Sequence, residues 1–430
     1  MKKYITAEKA EHALRKILPY YFIGILIITA SAIFAAYLGH FSYRMGDWLI
    51  NYQGGMIRRG FLGEVVYQLA RYTRINAGVY VVIIQLFSYG AFLFFSYRLL
   101  REQDTLLPYA FAIFSPFMFT FHINNLHGGY RKEIVYIAVF SFLTWAAKHF
   151  PIKKFERLFY GVLLLYPTFI LSHEMLAVYL PMLLVIYLLK LPMNKRRVLL
   201  LMLFLFPSLG SFFLSIYYSH GTSHQVEAIL QSLIEVNYAI DGSSGAINWL
   251  DKDLSFALKR VKEALTHEHY IYYALYIPLV AIAYLPIRNK FKLITQNKIA
   301  LILIVTSFVG MLGLCVVGLD WGRFFYIWLI ALFFLSFLYD DPSKNSLKND
   351  PHQPISMTTI ALLLLYFQLW HLPPVRSPLK ALPITFTRIN IIRWSKPYVL
   401  IASYYFPSVK EKALHYFPGM KETLSRMKRQ

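Results

Sequence analysis

Residues 18–64 read LPYYFIGILIITASAIFAAYLGHFSYRMGDWLINYQGGMIRRGFLGE. Residues 18–38 form an uncharged apolar run, and an upright α-helix needs about 20 such residues to cross a bilayer. Residues 46–64 then break the pattern with one acid (Asp47), an aromatic beside it (Trp48), a Gly-Gly pair (Gly54, Gly55) and two adjacent arginines (Arg58, Arg59). The first part sets the fold class. The second is richer than a connection between spans requires, and it suits a site that holds a phosphate and handles a hydroxyl.

Similar apolar runs recur along all 430 residues, of which 57% are hydrophobic and 15% charged, against about 25% charged in soluble domains. The fold expected is an all-α polytopic membrane helical bundle of about 10–12 transmembrane helices, with amphipathic helices in its extracytoplasmic loops. Eleven spans are read at 18–38, 77–97, 106–122, 133–147, 158–171, 174–189, 198–218, 271–287, 299–317, 324–339 and 356–372. Residues 1–372 make one transmembrane domain with outer loops 39–76, 123–132, 219–270 and 318–323, followed by a basic tail, 373–430. The first run has the length of a span and lacks a small-residue cleavage site, so it is expected to remain as a span.

The net charge of +22 would suggest nucleic acid in a soluble protein. Here the basic residues flank spans, and no recognition motif accompanies them, so nucleic acid is not an expected partner. Cys315, the single cysteine, lies in an apolar run and leaves no disulfide framework. With the N-terminus in the cytoplasm, 21 Lys and Arg fall in inner segments and 12 in outer loops, with 11 more in the tail. The positive-inside rule favours that orientation and places 46–64 on the non-cytoplasmic face. Eleven spans also put the tail outside, which its 11 basic residues oppose. Residues 60–73 are too short to cross upright, and Glu64, Gln68 and Arg71 give them a polar side, so they read as an interfacial or re-entrant helix.

The inner loops are short, basic and without pattern, whereas the outer ones gather the unusual residues. Asp47 is either an interfacial acid or a general base for an acceptor hydroxyl. A second Gly-Gly precedes basic residues in GGYRK, 128–132, so Arg58, Arg59, Arg131 and Lys132 read as two walls of one phosphate or pyrophosphate site. His127 lies beside that second turn. His173 and Glu174 sit in a kink between apolar runs, where ionisable groups are costly and point to function. Asp320 and Arg323 occupy the turn between spans nine and ten, either paired or with Arg323 reaching a phosphate. His127, His173, Glu174 and Asp320 offer ligands for a divalent cation, but their spacing carries no metal signature and the sequence requires no cofactor. Residues 219–270 read as two amphipathic surface helices around a turn-rich hinge, with His220, His224, His267 and His269 interfacial.

A multi-span chain with an acid just after span one, a long first outer loop and arginine-rich outer loops resembles the GT-C superfamily of membrane glycosyltransferases. DWLINYQGGMIRRGFLGE is similar to a motif of bacterial membrane proteins associated with surface-polysaccharide assembly. The resemblance covers the architecture and that motif. It implies a polyprenyl-phosphate (or pyrophosphate) sugar donor, a glycan acceptor, contact with membrane lipid, and location in the inner (plasma) membrane with the active site on the non-cytoplasmic side. By position, Asp47 takes the role of the first-loop acid, as base or metal ligand. The adjacent acid pair common in the superfamily is absent. The transfer implied is inverting, and beyond Asp47 the resemblance maps no residue one to one; from the loops themselves, Glu174 and Asp320 join Asp47 as candidate catalytic acids, and Arg58, Arg59, Arg131, Lys132, Arg323, His127 and His173 make the candidate phosphate-binding set. An O-antigen or capsule repeat-unit polymerase shares these features, and a lipid-linked oligosaccharide transporter is the reading from another class. A transporter is disfavoured by the absence of Lys or Arg within spans and of internal repeats.

Overall fold

A computed structural model describes residues 4–126, 128–241, 245–267, 273–274, 276–338, 354–368, 370–371, 384–385, 394–406, 409–410, 414, 420–421 and 424–425. His127, His269 and most of the tail lie outside them. The described chain is helical, apart from two small antiparallel pairings, β1 (Tyr4–Thr6) with β2 (Pro354–Ser356) and β3 (Trp370–His371) with β4 (Ile384–Thr385).

The helices are α1 (Ala7–Leu38), α2 (Phe61–Thr73), α3 (Ala77–Arg101), α4 (Ala110–Ile113), α5 (Phe121–Asn124), α6 (Glu133–His149), α7 (Ile152–Ser172), α8 (Leu176–Lys190) and α9 (Lys195–Tyr217). They continue with α10 (Ser223–Glu235), α11 (Leu254–His267), α12 (Tyr276–Tyr284), α13 (Lys292–Gln296), α14 (Lys298–Val317), α15 (Trp321–Leu335), α16 (Met357–Gln368) and α17 (Lys396–Tyr405).

Among the described residues, six helical segments are long and apolar enough to cross a membrane: α1, α3, α7, α9, α14, and α15 with its 3₁₀ extension to Leu338. Large apolar side chains point outward from them, such as Phe206 at 74% exposure and Phe87 at 77%, as a lipid-facing surface requires. The protein is therefore an integral membrane helical bundle. The other expected spans are shorter or interrupted. Segment 106–122 is not one helix: Pro108 and Pro116 divide it into a 3₁₀ turn, α4, a turn and α5. Its side chains are largely buried, and irregular backbone is tolerated at membrane depth only inside protein. Pro286 likewise marks where α12 gives way to a 3₁₀ stretch, and α16 is only 12 residues long. At the start of the chain the first expected span continues a helix begun at Ala7, giving the 32-residue α1.

Contacts at the two ends show how the segments alternate. At the Thr6 end, Arg15 donates to the Gln103 carbonyl (2.7 Å), His149 pairs with Glu102 (3.2 Å) and Arg197 with Glu156 (2.8 Å). The opposite, Gly39 end collects segments 39–76, 123–132, 173–175, 218–254 and 318–323. There α10 lies over the first loop: Asn51 donates to Ser232 (2.9 Å), and the Arg58 amide to the Tyr218 carbonyl (3.1 Å). α10 opens with a full capping box between Thr222 and Gln225. In the tail, α17 packs on α1 through Leu400 and Ala35, and Trp394 donates to Asn124 (2.9 Å). The described tail residues 394–406 thus sit at the Gly39 end.

The first loop is compact rather than floppy. Trp48, Asn51 and Asp47 have no exposed surface. Glu64 at the start of α2 accepts from the Tyr52 amide (2.9 Å) and the Gln53 side chain (2.9 Å), folding the loop back on itself. Gly63 is where α2 meets that fold, and a Cβ there would overlap the Ile50 carbonyl. Gly63→Ala is expected to lower the melting temperature in detergent by several degrees, whereas Ala substitution at Gly161, which faces open space, leaves it unchanged. Thermal-shift fluorescence or size-exclusion profiles after heating check both.

Candidate functional site

The two arginine-bearing turns have a common backbone feature. Arg59 has φ +67° and Tyr130 has φ +59°, a left-handed conformation that costs a side-chain-bearing residue about 1 kcal/mol or more. Neighbours hold each one there. Lys132 Nζ donates to the Arg59 carbonyl (2.6 Å) and to the Ser172 carbonyl (3.2 Å), tying the first loop to the second and third. The Tyr130 carbonyl accepts from the Trp48 indole (2.8 Å), and its amide donates to Tyr89 (2.9 Å). One glycine of each pair packs closely against a neighbouring segment. A Cβ on Gly54 would lie 2.7 Å from the Gln225 Cα, and one on Gly129 2.7 Å from the His122 Cα. Glycine at these positions lets α10 and the 121–124 turn approach.

The charged side chains of four loops form one network. Glu174 receives Arg59 bidentately, with Arg59 Nε at 2.9 Å and Nη2 at 2.6 Å, and Arg58 adds a longer contact at 3.7 Å. Arg131 pairs with Asp47 (3.6 Å) and donates to the Tyr43 carbonyl (3.0 Å). Arg323 bridges Glu133 (3.1 Å) and Asp320 (2.8 Å), and His173 meets Glu133 from the other side (3.1 Å). Five cations, Arg58, Arg59, Arg131, Lys132 and Arg323, thus meet four acids, Asp47, Glu133, Glu174 and Asp320, with His173 among them.

Above this network lies a cavity of 550 Å³. Arg58, Arg59, Arg131 and Arg323 all reach its wall. Asp320, with 46% of its side chain exposed, is on the wall as well, and Val317, Leu319 and Phe324 add an apolar side continuous with α14. The arrangement suits an anion attached to an apolar chain.

The structure places the remaining sequence candidates beneath that cavity. Asp47 is fully buried, and neither of its oxygens accepts a hydrogen bond among the described residues. Burial alone would raise its carboxyl, but Arg131 and Lys132 outweigh that and hold it well below the usual carboxylate range. It faces Arg131 as a buried counter-charge. Lys132 is a buried strut between carbonyls, with burial lowering it to about 8. His173 has no exposed surface, and burial, together with Arg59, pushes its imidazole well below its ordinary value. Neither residue lines the cavity. Glu174 reaches it only through its arginines. Burial would raise its carboxyl, yet Arg59 and then Arg58 draw it well below the ordinary value.

The sequence reading placed Glu133 in the second outer loop but gave it no role; it joins His173 to Arg323. Its one signal was an acid directly before an apolar run, where ionisable groups are costly. Tyr43, Trp249, Lys252 and Asp253, all on the cavity wall, were also missed, because distant loops bring them together. Among the described residues, no three His, Cys, Asp or Glu side chains gather as a metal site. Compared with known families, curated proteins and solved structures, the chain matches none.

The Arg59–Glu174 clamp yields a stability prediction with a definite sign. A carboxyl depressed in the folded state adds stability above its unfolded value near 4.5, and that stability is lost as pH falls through the lower folded value. Melting temperature in detergent is therefore expected to fall below about pH 4.5. Glu174→Gln should cost about 2–3 kcal/mol at neutral pH, between surface and fully buried pair values, and should blunt the acid-side fall. Thermal melts of both proteins across pH 3–7 measure this.

Proposed function

We propose that this membrane protein is a glycosyltransferase that moves a sugar from a polyprenyl-phosphate-linked donor to a surface glycan or lipid-linked acceptor. The reading places the Gly39 end on the non-cytoplasmic side of the inner (plasma) membrane, supported by the excess of basic residues in the loops at the other end. One observation carries it: four arginines from three separate loops share one cavity that also has an apolar wall beside a lipid-exposed helix.

In the proposed reaction an acceptor hydroxyl attacks the anomeric carbon of the donor as the bond to the phosphate oxygen breaks, inverting that carbon. The departing lipid phosphate gains negative charge, so the arginines bind it more tightly in the transition state than in the ground state. The hydroxyl proton passes to a carboxylate. Asp320 takes that role in place of Asp47, because Asp320 stands on the cavity wall and Asp47 lies under its floor. Asp47 then positions Arg131, and Glu174 positions Arg59. The apolar side by Val317 and Leu319 suits the start of the lipid chain. No step calls for a metal ion.

The test is release of polyprenyl phosphate from a carrier-linked hexose by purified protein in proteoliposomes. Asp320→Asn and Arg131→Gln are each expected to slow turnover about 100-fold or more, with Asp320→Asn melting normally. Asp47→Asn is expected to lower melting temperature together with activity. Normal turnover by Asp320→Asn, with a dead but stable Asp47→Asn, would return the base to Asp47. Absence of turnover with any carrier-linked sugar would sink the transferase reading.

A further inference from the structure

Two aromatic rings, Tyr43 and Trp249, share the cavity wall with the arginines. The proposed chemistry assigns neither a role. They come from loops 206 residues apart in sequence, yet the Trp249 indole donates to the Tyr43 hydroxyl at 3.3 Å. The fold makes this meeting deliberately. Gly245 has φ +107°, and a Cβ on it would overlap Ser42. The close approach lets the short 3₁₀ turn Ile247–Trp249 lie directly against the first loop. Phe256 backs the indole edge-on, with ring centroids 5.6 Å apart at 65°. Both rings are only half-buried.

Each ring is also tied to a phosphate-side arginine. The Trp249 carbonyl accepts from Arg58 at 3.1 Å. The Tyr43 carbonyl accepts from Arg131 at 3.0 Å, and the Arg131 guanidinium lies 5.6 Å from the Tyr43 ring centre. Ring position is thus set by the same contacts that set the guanidiniums. Beside the rings, the wall carries groups able to bond hydroxyls: Ser219, His220, Lys252 and Asp253. The apolar members Val317, Leu319 and Phe324 come instead from the turn and helix around 317–324.

We infer that Trp249, braced by Tyr43, is the platform on which the donor's hexose ring seats while its phosphate is held by the arginines. A pyranose presents a face of C–H bonds that packs on an aromatic ring and a rim of hydroxyls that needs polar partners. A half-buried indole fixed within one side chain of an anion clamp, with hydroxyl-bonding groups alongside, meets both needs. A ring locked by its own neighbours also loses little freedom on binding. This inference rests on the carrier-linked donor reading and deepens it by assigning the sugar subsite.

The experiment titrates the full-length protein in lipid nanodiscs with two soluble probes. One is citronellyl phosphate, which has chain and phosphate only, and the other is citronellyl phosphoryl glucose, which adds the sugar. Wild type is expected to bind the second about five- to tenfold more tightly. Trp249→Ala should lose that increment while binding citronellyl phosphate as wild type does, and Trp249→Phe should recover most of it. The contacts that hold Arg58 and Arg131 use backbone carbonyls and survive these substitutions, so the phosphate probe reports the integrity of each variant. A sugar increment retained in Trp249→Ala overturns the platform while leaving the donor reading intact. Wild type that binds the two probes equally overturns it too. If neither probe binds wild type, the carrier-linked donor reading fails and the platform with it.

Discussion

The Gly39 end of the bundle depends on balancing charge out of water. Five cations placed in partly or fully buried positions would each carry a desolvation cost of several kcal/mol without partners. The four acids offset most of it, and the chain is arranged around their meeting. Glu174 takes two arginines from the first loop. Glu133 takes His173 and Arg323. Asp47 faces Arg131. Lys132, bonded to the Arg59 and Ser172 carbonyls, ties three loops into a single block. The left-handed residues Arg59 and Tyr130 persist because that block over-determines them.

Much of this was legible from sequence at the level of grouping. Alternating apolar runs and the uneven spread of Lys and Arg put the segments around Asp47, Arg131, Glu174 and Asp320 at one end, and the structure assembles them there. Depth was not legible. Asp47 and Asp320 look equivalent as acids near span ends, yet one has no exposed surface and the other is 46% exposed. The difference arises from Trp48, Tyr130 and α10 closing over the first loop, a long-range packing event with no local signature. What approaches the Gly-Gly turns was not legible either. Glycine signals close approach, and here the approaching partner is the chain's own backbone.

Helix breaks were partly readable. Pro116 and Pro286 mark interruptions, but Pro19, Pro167, Pro181 and Pro207 sit inside continuous helices. Neighbouring segments and local adjustment compensate the lost backbone bond in the second group. Whether a proline divides a span or is absorbed by it is decided by what packs around it, which composition does not carry.

The walls of the large cavity come from helices of contrasting burial. The α15 segment is 72% buried and the α14 segment only 28%. One wall is therefore braced by protein on most sides, and the other is backed chiefly by fluid lipid. Widening the space by moving α15 would tear side chains out of a close-packed interior, whereas moving α14 displaces hydrocarbon that flows back around it. The cavity is built like a fixed jaw facing a compliant one. In the proposed reading, the donor's lipid chain reaches it from the side, through the bilayer, rather than from the aqueous mouth.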